Sequence, residues 1–142
     1  MADRGERGPH GVGVPAGTGG VGEPIVRRLD EICGPDGGAE RLVRRLVQSF
    51  LDRAPGRLQQ LAEAVARGDA PAVATLSHSL QGSALNLGAT ALSGRCAVLD
   101  RAAREGHLGL AQRQLSEVQA AYGDVEPVLR DLVTRWVPEA RR

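Results

Sequence analysis

From residue 23 onward, apolar residues recur at spacings of three and four, the period of a helix that buries one face. A short first helix is predicted over Pro24 to Cys33, carrying Ile25, Leu29 and Ile32 and stopping at Gly34-Pro35. A long second segment follows from about Ala39 to Arg67, with Leu42, Leu46, Phe50, Leu58, Leu61 and Val65 in phase. Pro55-Gly56 lies inside it and predicts a kink or a break. Asp69 is placed to N-cap a third helix, with Pro71 in its first turn, running to about Leu87 and closed by Gly88. A fourth, Thr90 to Glu105, presents Leu92, Cys96, Leu99 and Ala103 and ends at Gly106. A fifth begins near Leu110, with a heptad seam of Ala111, Leu115, Val118, Tyr122, Val125, Leu129, Leu132 and Trp136. Gly123 and Pro127 interrupt that seam and predict last turns that bend or detach. No segment alternates apolar and polar residues as a half-buried strand does. Short connections make neighbouring helices antiparallel. The predicted fold is therefore all-α: an up-down-up-down four-helix bundle with a short extra N-terminal helix.

Composition narrows the chemistry. Among 142 residues only 2% are aromatic, namely Phe50, Tyr122 and Trp136, so Leu, Val and Ala must build the core. That argues against proteins that stack single-stranded bases on aromatic platforms. All 18 basic residues are Arg, which excludes amine-nucleophile and Schiff-base Lys chemistry. The net charge is +1 with no basic block, so neither nucleic acid nor a membrane surface is an expected partner. No apolar run is long enough to span a bilayer. The N-terminal residues lack the apolar stretch of a signal peptide. A cytoplasmic location with Cys33 and Cys96 as reduced thiols is the corresponding expectation. The Cys spacing gives no zinc pattern.

Domain organisation follows from the same contrasts. Residues 1–22 are rich in Gly and poor in large apolar side chains, so they are expected to form a disordered tail. The stretch Gly11 to Gly17 loosely resembles a phosphate loop but lacks the strand before it and the helix after it. The bundle domain is expected over 23–137, with 138–142 as a C-terminal tail.

One residue sits in the wrong place for a packing role. At 100° per residue, with Leu76 at zero, the predicted buried stripe of Leu76, Leu80, Val73, Leu87 and Ala84 centres near about 40°. His78 then falls at about 200°, the solvent pole. Its neighbours there are Ala74, Leu85, Pro71 and Gly82, apolar or small where Glu, Lys, Arg or Gln is usual. Gly82 is the sharper anomaly, since Gly inside a helix costs roughly 1 kcal/mol against Ala. A missing Cβ one turn beyond an exposed imidazole clears space for something attached to, or docking on, that ring. His10 and His107 lie in the tail and in a turn, and no carboxylate sits one turn from His78, so a metal site is not expected. Ser77 and Ser79 point away to either side and make no catalytic triad with it.

The run Ser77-His78-Ser79-Leu80-Gln81-Gly82-Ser83-Ala84-Leu85-Asn86-Leu87-Gly88-Ala89 resembles the motif of histidine-containing phosphotransfer (HPt) domains. Downstream, Leu92, Cys96 and Leu99-Asp100 match that family's Leu, its Cys or Ala, and its Leu-Glu. Upstream, Phe50 to Pro55 and Ala66 to Asp69 resemble its second helix and following turn. The resemblance spans about residues 24–133 and implies a four-helix bundle. It implies that His78 accepts a phosphoryl group on Nε2, with Gln81 and Gly82 forming the phosphate environment. Pro71, Ala74, Thr75 and Leu85 would dock a response-regulator receiver domain. Cys96 is read as packing. The partners implied are a receiver domain, a hybrid histidine kinase, or both. No resident cofactor is implied, because the receiver supplies the Mg²⁺. Without an ATP-binding domain the chain is expected to be a phosphocarrier rather than an enzyme, and a monomer. One departure stands out: the family's Lys three residues after the His is Gln81 here, a neutral donor in place of a cation. That substitution feeds the alternative of a helical bundle that binds or sequesters a receiver or kinase without carrying phosphate.

Overall fold

A computed structural model describes residues 20–141. It contains five α-helices: α1 (Gly22–Cys33), α2 (Glu40–Arg67), α3 (Ala70–Asn86), α4 (Thr90–Arg104) and α5 (Leu108–Arg135). There is no strand among the described residues. Helix α2 packs on α3, α3 on α4, α4 on α5 and α5 back on α2, closing a ring of four, with α1 set against α2. The tail expected over 1–22 lies outside the described residues as far as residue 19. Gly22 already opens α1, and Val21 packs against the core.

Two predicted interruptions do not interrupt. α2 runs unbroken through Pro55, and α5 runs unbroken through Gly123 and Pro127. Pro55 and Pro127 are both exposed, so each removes one hydrogen-bond rung while flanking buried turns, Leu51-Ala54 and Val128-Leu129, keep the helix seated. The last turns of α5 do not detach: Leu132 and Trp136 are buried. Arg44 of α2 holds that end, its Nη1 donating to the carbonyls of Leu132 (3.2 Å) and Val133 (2.5 Å). Its guanidinium also hydrogen-bonds the Trp136 carbonyl and lies 5.6 Å from the centre of the indole ring. The Leu132 carbonyl also accepts from the Trp136 backbone N–H at 3.0 Å, and a cation is a favoured group beside the carbonyls of a helix C-terminus. Beyond Trp136, Pro138 is buried, the Glu139 backbone N–H donates to Asp30, and Arg141 pairs with Glu40.

The face that α2 buries differs from the predicted one at its start. Leu42 is 49% exposed and Leu46 only half-buried, while Val43, Val47, Leu51 and Ala54 are in the core. Two neighbouring stripes on α2 are both apolar, and the position of α1 and of the α5 terminus decides which one is covered.

Helix α3 starts at Asp69, whose carboxylate accepts from the Ala72 backbone N–H at 3.2 Å, as the capping pattern predicts. It ends at a tight turn where Gly88 has φ +79°. A Cβ there would stand 2.5 Å from the Pro24 carbonyl oxygen and 2.7 Å from the Arg28 Cβ. Only Gly lets α1 lie this close to the α3–α4 turn, and Arg28 fastens the contact by donating to the Asn86 carbonyl at 3.1 Å.

Candidate functional site

The buried stripe of α3 is wider and turned relative to the predicted one. Val73, Ala74, Ser77, Leu80 and Ala84 are buried, which moves its centre from about 40° to about 90°. Leu76, the predicted zero point, is only half-buried. The cause is α4, which packs along the side of α3 carrying Ala74 and Ser77. Ala74, expected on the exposed docking pole, is therefore 7% exposed and belongs mainly to the α3–α4 contact. Ser77 is fully buried and satisfies its hydroxyl by donating to the Val73 carbonyl at 2.7 Å.

His78 remains outside. Its side chain is 69% exposed, halfway along a well-formed helix, on the edge that faces α4. Across that edge Asp100 places Oδ2 3.6 Å from the His78 Nδ1. The Asp100 side chain is only 13% exposed, and its Oδ1 accepts from Arg104 Nε at 2.8 Å. The order Arg104, Asp100, His78 thus runs from α4 to α3. The distance of 3.6 Å is too long for a hydrogen bond but within ion-pair range. Asp100 matches a motif position in the sequence, but its place beside His78 is not legible there, because a carboxylate on another helix, 22 positions on, leaves no local spacing signal. The i, i+4 relation of Asp100 and Arg104 was visible and is the sign that could have drawn attention to both.

Around His78 the surface is open. A Cβ added at Gly82 would meet nothing within 4 Å. Leu85 is 55% exposed, Pro71 and Thr75 are exposed, and Gln81 is half-buried. Pro71, Thr75, Gly82 and Leu85 fall into two shallow grooves, and Gln81 lines neither. Pro71, Ala74 and Thr75 line one with Arg104. Gly82 and Leu85 line the other, together with Pro24, Arg27 and Arg28 of α1, a helix that no local spacing relates to the site. His10 lies outside the described residues. His107 sits in the α4–α5 turn, with Nδ1 3.5 Å from Glu105 Oε1.

Both thiols are buried, and burial pushes that of Cys96 up to about 12. Such a thiol is a packing group rather than a nucleophile. Among the described residues no cluster of His, Cys, Asp or Glu could hold a metal ion, and no helix is long and apolar enough to cross a membrane.

The family model described as the Hpt domain matches residues 45–135. The crystal structure of histidine-containing phosphotransfer protein B (HptB) from Pseudomonas aeruginosa PAO1 is similar, with a TM-score of 0.70 and 24% sequence identity. The similarity covers 92% of this chain and 100% of that one. No curated protein matches the chain.

Proposed function

The chain belongs to the Hpt domain family, the phosphotransfer modules of phosphorelay signalling, and from that premise we propose that it carries a phosphoryl group on His78. The observation that carries the reading is His78 itself: an exposed imidazole on a rigid helix, cleared on one side by Gly82 and backed on the other by Asp100. A receiver-domain aspartyl phosphate, or a hybrid histidine kinase, is the donor. A response regulator is the acceptor.

The chemistry follows from the two ring nitrogens. Asp100 favours the tautomer with the proton on Nδ1, which leaves the Nε2 lone pair free to attack. Nε2 bonds to phosphorus as the bond from phosphorus to the aspartyl oxygen breaks, and the carboxylate leaves with that electron pair. The phosphorylated ring keeps its Nδ1 proton and gains positive character, which the Asp100 carboxylate offsets. Return transfer to another aspartate reverses each step. Mg²⁺ bound by the receiver would neutralise charge on the phosphoryl oxygens. Arg104, which donates to Asp100 through Nε, is proposed as the cation that compensates for Gln81 standing in place of the family's Lys.

Docking would use Leu85 and the small residues around His78. Pro71 and Thr75 border the site on one side, and the α1 groove borders it on the other. Ala74 contributes little, being mostly covered by α4.

Incubation with a phosphorylated receiver and Mg²⁺ tests the reading. Label should move to the chain in an alkali-stable, acid-labile form and be lost in His78→Gln. Gln81 favours one second reading, a bundle that binds a receiver without accepting phosphate. Stable complex formation with no label on the chain would establish it instead.

A further inference from the structure

We propose that the cleft between α2 and α3 is an oxyanion-binding site, separate from His78, that takes a single carboxylate or phosphoryl head group. The cleft has a volume of about 140 Å³. Pockets for drug-sized ligands run to about 300–1,000 Å³, so this one admits a head group rather than a whole ligand of that size. Phe50 and Leu80 contribute to its apolar floor, and Ser49, Arg53, Arg57, Ser83 and Asn86 supply the polar lining.

The charge of that lining is one-sided. Arg53 and Arg57 lie one turn apart on α2, so their guanidinium groups share a face and repel. No carboxylate lines the cleft. Elsewhere Arg44, Arg130 and Arg135 each pair with an acid one turn away. Among the described residues neither Arg53 nor Arg57 has a carboxylate within ion-pair distance. An anion entering between them would supply the missing counter-charge.

The site is also pre-set. Arg57 is half-buried, and its Nη1 donates across the cleft to Ser83 Oγ at 2.9 Å. The guanidinium is thereby fixed before any ligand arrives, which lowers the ordering cost of binding. Ser83 accepts in that bond and so keeps its own hydroxyl proton to give. A planar guanidinium fork beside a hydroxyl donor matches the oxygens of a carboxylate or a phosphate. The cleft lies on the α2 flank of α3, whereas Asp100 and Arg104 lie on the α4 flank. The two sites are therefore independent, and neither proposal needs the other.

The test follows the arginine Nε–Hε resonances of the full chain while inorganic phosphate, or N-acetyl-glutamate amide, is added at constant ionic strength. Resonances of Arg53 and Arg57 should move along a saturating curve while that of the exposed Arg113 stays put. Arg57→Gln should weaken the response of Arg53 at least tenfold at unchanged helicity. The variant Arg53→Gln, at an exposed position that makes no bond to Ser83, should weaken that of Arg57 likewise, covering the case in which loss of the Ser83 bond loosens the α2–α3 contact. Tighter binding of phosphate assigns the site to a free phosphorylated compound, and tighter binding of the capped glutamate assigns it to an acidic side chain. Linear shifts shared by every exposed Arg, or saturation that survives both substitutions, would overturn the site.

Discussion

Asp100 and His78 lie on different helices, yet a carboxylate oxygen of one stands 3.6 Å from the Nδ1 of the other. A unit charge about 4 Å away is worth about 1 kcal/mol even in water-like dielectric, and more once a docked partner excludes solvent. Asp100→Asn keeps the shape and removes the charge. Phosphoryl transfer to His78 from a phosphorylated receiver should slow by about fivefold or more. Unchanged single-turnover rates in a fully helical variant would show that Asp100 only packs.

Gly82 sets stability against function. Its Cβ position is empty, so Gly82→Ala meets no clash within the chain. The helix should gain roughly 0.5–1 kcal/mol, read as a higher urea midpoint. The same methyl group projects beside His78, where the proposed receiver would approach, so transfer from the receiver should fall. A variant both more stable and equally active would remove the reason given for a glycine at this position.

Leu85 is 55% exposed on the proposed docking face. Covering such a side chain contributes roughly 1–2 kcal/mol to binding. Leu85→Asp should weaken receiver binding at least about tenfold by titration calorimetry, with the circular dichroism spectrum unaltered.

Gln81 and Arg104 make a paired comparison. Gln81→Lys adds a cation one turn from His78, and a phosphoryl group carries nearly two negative charges at neutral pH. The partition of label between His78 and the receiver should move toward phosphohistidine by about threefold, more at low salt. Arg104→Gln should move it the other way. Shifts of the same sign in this pair would contradict the electrostatic argument.

Cys96 gives a pH prediction. Burial holds its thiol protonated in the folded chain, up to about 12, against 9.0 for an ordinary thiol. The unfolded chain therefore releases the proton first, and the resulting stability, complete below pH 9, declines as pH rises from about 9 toward 12. The slope contributed by one thiol is at most about 1.4 kcal/mol per pH unit. Burial raises the Tyr122 hydroxyl too, and that adds to the decline only above its ordinary 10.0. Urea unfolding between pH 8 and about 10, compared with Cys96→Ala, isolates the thiol. The variant should lose less stability over that window.

Local pattern determined the helices of this protein and singled out the exposed His78 on one of them. Helical period, the Asp69 cap, the closing glycines at 88 and 106, and the apolar, Gly-cleared surroundings of His78 are all relations within about one or two turns of chain. Those relations survive in a linear reading because a helix converts sequence spacing directly into angle. Helix-to-helix contact is not encoded that way. On α2 two adjacent stripes were apolar, and α1 and the Arg44-capped end of α5 decided that Val43 and Val47, not Leu42, are covered. On α3 the docking of α4 buried Ala74 and brought Asp100, which holds Arg104, beside His78. Packing of α1 against the Gly88 turn put Arg27 and Arg28 next to Leu85. Pro55 and Pro127 failed to break their helices because the buried turns around them, held by neighbouring helices, outweigh one missing hydrogen bond each. Each of these outcomes depends on which surfaces meet, a free-energy balance over residues far apart in the chain, and so only the tertiary structure could decide it.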